Sequence, residues 1–383
     1  MMAGAGPALR LLGSHAGTAD PSSVAEPTWQ RGMAPAIHGL EVVGEHPEAT
    51  GIELKGCLKP VLTAVTVRAC AVGIHLVERN RDVVIEHCHV YDNRGPGIFL
   101  DRVNLHQINI GGSHISYNRG GGVVIFGSEI RNIQIAGCDI EYNYDRTDLD
   151  RPAADIWIET RGQSVREGAI VGCTIQAGAS RDGANIRLIG ESAEVAHKVG
   201  LLSITGNLIS SQSCQIHCRY ARGVTISGNT FFSGHERNLW LEDSSNLVVS
   251  GNTFDHNPDY AKETLDGVCA ERVRGLTFSG NHLAGTLHPA GAIELRDCRE
   301  VSLGDNQILD PGSRGVVVRN SRNVRVASTT VVDSRGSMEV ALDFERVSGC
   351  QVCNCRLDRG TAGAIRLIEA EVADGGNLNG AAR

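Results

Sequence analysis

The sequence predicts an all-β fold in which short parallel strands stack as the coils of a solenoid. A short phrase recurs along the chain, a second alternating phrase lies between its copies, and glycine is abundant, at 46 of 383 residues. Apolar residues alternate inside both phrases with a period of two, which is the period of a strand. We therefore expect about 12–13 coils, stacked at about 4.8 Å, with glycine supplying the turns between strands.

The first phrase is an apolar residue, two variable residues, a small polar or thiol residue, one variable residue and a second apolar residue. Twelve copies lie 18 to 35 residues apart, and their central positions are Cys70, Cys88, Ser113, Cys138, Cys173, Asn207, Asn229, Asn252, Asn281, Asn306, Thr329 and Cys355. Identical amides stacked coil upon coil can hydrogen-bond along the axis. The five asparagines therefore predict an asparagine ladder, and the cysteines at the same position predict small core residues.

The composition and the N-terminal residues limit the classes of protein to which this chain can belong. A net charge of −8 argues against a nucleic-acid-binding surface. No run of apolar residues is long enough for a membrane-spanning helix, so no membrane partner is expected. Residues 1–10 lack the apolar core of a signal peptide. The expected location is cytoplasmic for the chain as written, and secreted or periplasmic if the N-terminus is truncated.

The phrases at 204–209, 226–231 and 249–254 resemble those of right-handed parallel β-helix proteins of the pectate-lyase-like superfamily. The resemblance implies a β-helix domain over residues 36–370, preceded by an irregular segment or partial first coil at 1–35 and followed by a tail at 371–383. Proteins of this class commonly begin with a Gly/Asp-rich strand segment followed by a capping helix, and nothing of that kind precedes Pro7. Either that cap is lost or a partner chain covers the first coil. Solenoids of this class often trimerise, so a homotrimer is a candidate assembly.

The second phrase places outward residues in lanes along one face of the solenoid. Its central lane includes His75, Phe99, Trp157, Arg187, His217 and Trp240. Aromatic, basic and amide side chains concentrate between residues 155 and 296, beside the longest loops, which is typical of a binding cleft. We expect a poly- or oligosaccharide ligand there. The candidate substrate-binding residues are Trp157, Asn185, Arg187, Gln215, Arg219 and Trp240. The alternative is that the tryptophans are covered core residues and the charged residues are simple ion pairs.

Carboxylates in the same lanes suggest acid–base chemistry on a glycan. The candidate catalytic residues are Asp155, Glu159, Glu242, Glu271 and His217. Glu242 and Glu271 lie in adjacent coils of one lane, within reach of the carboxylate separation of a retaining glycoside hydrolase. The leading hypothesis is therefore a glycoside hydrolase or a transglycosylase-like enzyme.

Two alternatives stay open beside the hydrolase. One is a polysaccharide lyase that acts by β-elimination on a uronate-containing glycan, with Arg187, His217 or Arg219 in the reaction. The other is a non-catalytic glycan-binding or structural β-helix. No metal site and no cofactor are expected, because no set of cysteines completes a tetrahedral zinc site. Under the lyase alternative, carboxylates would hold Ca²⁺.

Overall fold

The computed structural model describes residues 1–17, 20–195, 197–260 and 264–380. Over these residues the chain is an all-β, right-handed parallel β-solenoid of about 14 turns, which confirms the predicted fold class. Helix in the described residues is confined to a 3-10 turn at Pro21–Ser23 and a short α-helix at Glu26–Arg31. The chain divides into two compact units, Met1–Glu191 with His197–Ser203, and Ser192–Ala196 with Ile204–Arg383.

Each turn of the first unit contributes long strands to one sheet and a three-residue strand to another. The long-strand sheet contains Gly6–Leu12, Ala36–His38, Ala49–Leu58, Val61–Thr63, Val72–Glu86, Ile98–Gly111, Val123–Phe126, Glu129–Ala136, Ala154–Glu159, Val165–Val171 and Ala184–Ile189, and Val199–Thr205 continues into the second unit. The short-strand sheet contains Glu41–Val43, Thr66–Arg68, His89–Tyr91, His114–Ser116, Asp139–Glu141 and Thr174–Gln176.

The second unit repeats this arrangement. Its long-strand sheet contains Cys214–Arg219, Ala221–Ser227, Arg237–Glu242, Ser245–Ser250, Val268–Glu271, Arg274–Ser279, Ile293–Arg296, Arg299–Gly304, Arg314–Arg319, Arg322–Ala327, Val340–Cys353 and Ile365–Gly375. Its short-strand sheet contains Leu208–Ser210, Thr230–Phe232, Thr253–Asp255, His282–Ala284, Gln307–Leu309, Thr330–Val332, Arg356–Leu357 and Leu378–Asn379. The strands pair in parallel and in register from turn to turn.

The core is a stack of aliphatic rungs that also holds buried aromatic and thiol side chains. Phe231 and Phe254 stack face to face with ring centres 4.7 Å apart, because the same position repeats in adjacent turns. All twelve cysteines carry free thiols, and eleven of them are buried while Cys353 is partly exposed. The cysteines of the first phrase are therefore core residues, as predicted.

The asparagine ladder is present in the second unit. Asn207, Asn229, Asn252 and Asn281 each donate a side-chain N–H to the amide oxygen of the next asparagine, at 2.9–3.2 Å, and the series ends at Asn306. Each of these amide oxygens also accepts a bond from the backbone N–H of the previous asparagine. The amides of Asn229, Asn252 and Asn281 are thereby satisfied by the turns on either side of them.

A second ladder lies in the first unit and was not predicted from the sequence. Asn93 donates to Asn118, Asn118 donates to Asn143, and Asn143 donates to a carboxylate oxygen of Asp155 at 3.0 Å. The other oxygen of Asp155 accepts a bond from Asn185 at 3.0 Å. Asp155 is 1% exposed. This carboxylate therefore ends a hydrogen-bonded ladder inside the solenoid.

Removing one amide from the middle of a ladder is expected to destabilise the protein. Asn252→Ala deletes the donor to Asn281 and the acceptor of Asn229, leaving buried polar groups without partners, and should lower the free energy of unfolding by about 3 kcal/mol. Denaturant titration measures the loss. Asn109→Ala, at an exposed strand position, is the matched control and should change stability by at most about 0.5 kcal/mol. Equal losses in the two variants would contradict the ladder's role.

The carboxyl group of Asp155 should make stability depend on pH. Burial raises the pKa of Asp155 to about 7, although hydrogen bonds from Asn143 and Asn185 oppose the shift. Because this folded-state pKa lies above the unfolded value, the group's stabilising contribution is complete in acid and is lost as the pH rises toward and through 7. The Asp155→Asn variant cannot ionise at this position. It should therefore avoid a loss of up to about 4 kcal/mol in the free energy of unfolding as the pH rises.

Thermal unfolding of wild type and Asp155→Asn from acid to mildly alkaline pH tests this expectation. The variant's advantage in Tm should grow with pH. Its amide can keep both ladder contacts if the Asn185 side chain turns its own unpartnered oxygen toward it. Asp150→Asn, at a carboxylate whose side chain is 82% exposed, is the control. Parallel pH profiles for wild type and Asp155→Asn would show that Asp155 stays charged in the folded state.

Candidate functional site

The predicted lanes of the second unit run along the outer face of its long-strand sheet. His217 pairs in register with Trp240, which pairs with Cys269. In the neighbouring lane Arg219 pairs with Glu242, and Glu242 with Glu271. Apart from Cys269, these residues form a compact group with Asp243 and Arg272, which directly follow two of the strands. We call this group the face cluster: His217, Arg219, Trp240, Glu242, Asp243, Glu271 and Arg272.

An imidazole–carboxylate pair lies at the centre of the face cluster. Nε2 of His217 is 2.8 Å from Oε1 of Glu242. The two residues are 8% and 6% exposed, so the pair is largely shielded from water but lies on the outer side of the sheet. A carboxylate bonded to one ring nitrogen orients an imidazole and stabilises its charged form. This arrangement can move a proton to or from a bound molecule.

Trp240 packs directly against this pair. Its ring stacks on His217 with centres 4.5 Å apart and an angle of 12° between the planes. The guanidinium of Arg237 lies 4.7 Å from the centre of the Trp240 ring. The imidazole thus covers one face of the indole. Trp240 is half-buried, and we regard it as an apolar wall of the cluster more than as an open stacking platform.

Arginines surround the carboxylates of the face cluster. Arg219 Nε and Arg272 Nη2 each lie 3.6 Å from a different oxygen of Glu242. Arg272 also donates to both oxygens of Asp243, at 2.6 and 3.0 Å, and to Glu271. Hydrogen bonds to Asp243 and then to Glu271 raise the pKa of Arg272. The guanidinium is therefore a permanent cation in contact with three carboxylates.

Aromatic side chains form a row on the equivalent sheet face of the first unit. His75 stacks on Phe99 at 5.4 Å, and Phe126 meets Phe99 and Trp157 edge to face at 5.9 and 5.1 Å. The guanidinium of Arg187 lies 5.0 Å from the Trp157 ring centre. We call these residues, His75, Phe99, Phe126, Trp157 and Arg187, the aromatic row.

A cavity opens beside the aromatic row. It has a volume of about 400 Å³ and is lined by Asp101, Arg102, Phe126, Glu129 and Arg161, among others. Arg161 lies 3.8 Å from the Phe126 ring centre and donates to both oxygens of Glu159, at 3.1 and 3.2 Å. The predicted catalytic residue Glu159 thus pairs with an arginine at the end of its own strand.

The structure brings together five of the predicted site residues and separates others from the face. His217, Arg219, Trp240, Glu242 and Glu271 meet in the face cluster, and Trp157, Arg187 and Glu159 lie on the face of the first unit. Asp155, Asn185 and Gln215 were expected in an outward lane, but they are at most 1% exposed. Their lane begins at the corner between the sheets, where the strict alternation of strand side chains does not hold.

Two residues of the face cluster were missed by the sequence analysis. Asp243 and Arg272 follow their strands directly and have positive φ angles of 49° and 52°. A residue with a positive φ angle at a strand end interrupts the strand alternation, so its side chain can lie on the same face as that of the residue before it. An alternating pattern does not predict this placement. The sequence does contain a signal for these two residues, because a charged residue directly follows each carboxylate of the lane, in Glu242-Asp243 and Glu271-Arg272.

No group of three or more His, Cys, Asp or Glu side chains in the described part of the chain has the geometry of a metal site. No helix in that same part is long and apolar enough to cross a membrane.

Two family models match parts of the chain. The right-handed β-helix region model matches residues 40–170. The model of the periplasmic copper-binding protein NosD matches residues 158–327. No curated protein matches the sequence.

Several solved structures are similar to the chain at low sequence identity. A tailspike protein of bacteriophage CBA120 is 12% identical, with a TM-score of 0.47, and the match covers 94% of this chain but only 58% of the tailspike. The A-module of the mannuronan C-5 epimerase AlgE4 of Azotobacter vinelandii is 11% identical over 97% of both chains, with a TM-score of 0.45. A mannuronic acid-specific polysaccharide lyase from human gut microbiota is 12% identical, with a TM-score of 0.45, and the match covers 91% of this chain and 83% of the lyase.

The repeated phrase, the two internal ladders and the in-register parallel strands agree with the resemblance stated from the sequence. The chain is a parallel β-helix protein, and its residues 40–170 match the model of the right-handed β-helix region.

Proposed function

We propose that the chain is a carbohydrate-active enzyme that cleaves glycosidic bonds of a poly- or oligosaccharide at the face cluster. The observation that carries the proposal is the 2.8 Å contact between His217 and Glu242 on the outer face of the sheet, walled by Trp240. A proton-transfer pair, an apolar wall for a sugar ring and charged hydrogen-bonding groups at its rim are what a glycan-cleaving site requires.

Hydrolysis is the leading chemistry. Glu242 and Glu271 are direct partners in the strand register, so their Cα atoms lie about 4.8 Å apart. The carboxylates of a retaining glycosidase lie about 5 Å apart, one acting as nucleophile and the other as acid and then base. Water is added across the broken bond. In this scheme His217 positions Glu242 through their hydrogen bond.

β-Elimination is the second candidate, and it is favoured by the arginines and the imidazole. His217, held by Glu242, would remove the proton next to the carboxylate of a uronate residue. Arg219 and Arg272, which flank Glu242, would neutralise that carboxylate. The neighbouring C–O bond breaks as the C=C bond forms, and the departing oxygen takes up a proton, so no water is added.

The first unit carries a candidate glycan-binding surface of its own. Trp157 and Arg187 belong to its aromatic row, and Glu159 lies beside the row with Arg161. A half-buried tryptophan beside a guanidinium can contact both the apolar face and the hydroxyls of a sugar. Trp157→Ala is expected to weaken binding of an oligosaccharide to this surface by roughly 10-fold relative to the wild type, as isothermal titration calorimetry measures, because it removes an aromatic contact.

The proposal is tested by incubating the protein and its variants with a panel of neutral and uronate-containing polysaccharides. Mass spectrometry of the products reports water added for hydrolysis, and an unsaturated uronide with its ultraviolet absorbance reports elimination. Glu242→Gln should lower kcat by roughly 100- to 10,000-fold under either chemistry. Glu271→Gln should do so only for hydrolysis, and His217→Gln should do so most strongly for elimination.

Glu300→Gln is the control, because Glu300 is an exposed residue of the same unit whose side chain accepts a hydrogen bond from Asn323. It should leave turnover unchanged. Binding without any product, in a panel that includes uronate-containing glycans, would contradict the enzyme assignment. That outcome would leave the chain as a glycan-binding β-helix.

A further inference from the structure

A second cavity lies at the start of the first unit, beneath the segment of residues 13–17. It has a volume of about 610 Å³, and its lining includes Gly13, His15, Gly56, Arg79 and Asn104. The segment is fixed by close backbone contact, because a Cβ atom on Gly13 would lie 2.0 Å from the carbonyl oxygen of Gly56. The backbone N–H of His15 donates to that same oxygen at 2.9 Å. His15 is therefore held over the cavity.

Arg79 is a buried cation with neutral partners. It is 8% exposed. Its Nε donates to Nε2 of His15 at 3.2 Å, and its Nη1 donates to the side-chain oxygen of Asn104. Among the described residues no carboxylate oxygen lies within 4.0 Å of its guanidinium nitrogens, and its Nη2 is buried without a hydrogen-bond partner. Arginine is almost never fully buried unless its charge is paired.

His15 adds a second donor to the same cavity wall. It is 3% exposed. Because a guanidinium nitrogen can only donate, Nε2 of His15 must accept, and the proton of the neutral ring lies on Nδ1. Nδ1 is buried and has no acceptor among the described residues. Burial, followed by the charges of Arg79 and Arg81, lowers the pKa of His15, which keeps the ring neutral.

The surrounding charges favour an anion and not a cation. The carboxylate among the lining residues, Glu78, is 62% exposed at its side chain and already binds Lys55. Arg81, two residues along the strand, is 6% exposed and lies 3.7 Å from a carboxylate oxygen of Asp82. Burial and then Arg81 lower the pKa of Arg79 itself, and no acidic group raises it. One buried cation, Arg79, and two buried donors without acceptors among the described residues thus belong to the lining of one cavity.

We propose that the cavity bounded by His15, Arg79 and Asn104 is an oxyanion-binding site, whose ligand supplies the negative charge and the acceptor oxygens that Nη2 of Arg79 and Nδ1 of His15 lack. The chemical class is a sulfate, a phosphate or a carboxylate. The ligand is either a free inorganic anion or the acidic substituent of a sugar. An arginine fork is suited to both, because its parallel N–H groups match the oxygen spacing of these anions.

The test is thermal unfolding and isothermal titration calorimetry of the full chain with sodium sulfate, sodium phosphate, sodium glucuronate and sodium chloride at equal ionic strength, with glucose as the uncharged sugar. An oxyanion should raise the Tm of the wild type saturably, by roughly 2–5 °C at high occupancy, since it binds the folded state only. Chloride and glucose should give no saturable rise. A larger response to glucuronate than to sulfate and phosphate assigns the site to a sugar acid, and the reverse order assigns it to a free anion.

Two variants separate a specific site from a general salt effect. Arg79→Met should lose the saturable response and the calorimetric signal, and in chloride it should melt no lower than the wild type, because it removes an unneutralised buried charge. His15→Gln should weaken binding by roughly 10-fold through loss of one donor. Arg181→Met is the control, since the side chain of Arg181 is 70% exposed, and it should respond as the wild type does.

Equal Tm shifts in the wild type and Arg79→Met would identify a general effect of the salt and would overturn the proposal. So would the absence of calorimetric binding of all three oxyanions to the wild type. If Arg79→Met does not fold, His15→Gln decides by the same criteria. These outcomes do not depend on glycan cleavage, because no residue of the face cluster contributes to this cavity.

Discussion

The constraint on which this structure depends is the in-register stacking of one turn on the next. At a strand spacing of about 4.8 Å, a side chain that points into the core meets the side chain at the same position of the neighbouring turns, so a buried polar group must be complementary to its own repeat. Asparagine meets this condition because its amide both donates and accepts. The series from Asn207 to Asn306 therefore satisfies itself without water. Asp155, which only accepts when charged, is found where two donors from Asn143 and Asn185 converge.

The same stacking governs charge on the outer face. Side chains of like charge in adjacent turns would repel each other. The lanes of the second unit instead bring arginines and carboxylates together. Glu271 pairs with Arg296, and Asp343 pairs with Arg366 and Arg319. Asp343 is fully buried, and burial alone would raise its pKa. Hydrogen bonds from Arg366 and Arg319 outweigh burial, so the pKa of Asp343 lies below its ordinary value. The face is a lattice of compensated charges, and within it His217 and Glu242 form a hydrogen-bonded imidazole and carboxylate.

Period-two patterning predicted the fold and the lanes because register carries a position unchanged from turn to turn. Once Ile216 and Leu239 are assigned to the core, the pairing of His217 with Trp240 follows. The corners obey no such rule. Asp155, Asn185 and Gln215 begin strands and turn inward, whereas Asp243 and Arg272 end strands with positive φ angles and join the face cluster. The contact of His15 with Arg79 spans 64 residues of sequence and lies outside both phrases, so no local pattern could predict it.

The two candidate sites differ in how their charges are balanced, and that difference separates their roles. In the face cluster each carboxylate has an arginine nearby, so a ligand would have to compete with existing ion pairs. Such a site stabilises a bound molecule mainly when proton transfer at His217 and Glu242 changes the charge distribution during a reaction. At Arg79 the imbalance exists before any ligand arrives, because its partners His15 and Asn104 are neutral. A ligand there offsets the unfavourable free energy of a buried charge that is already present in the unliganded protein. This is the thermodynamic pattern of a binding or stabilising site and not of a catalytic one.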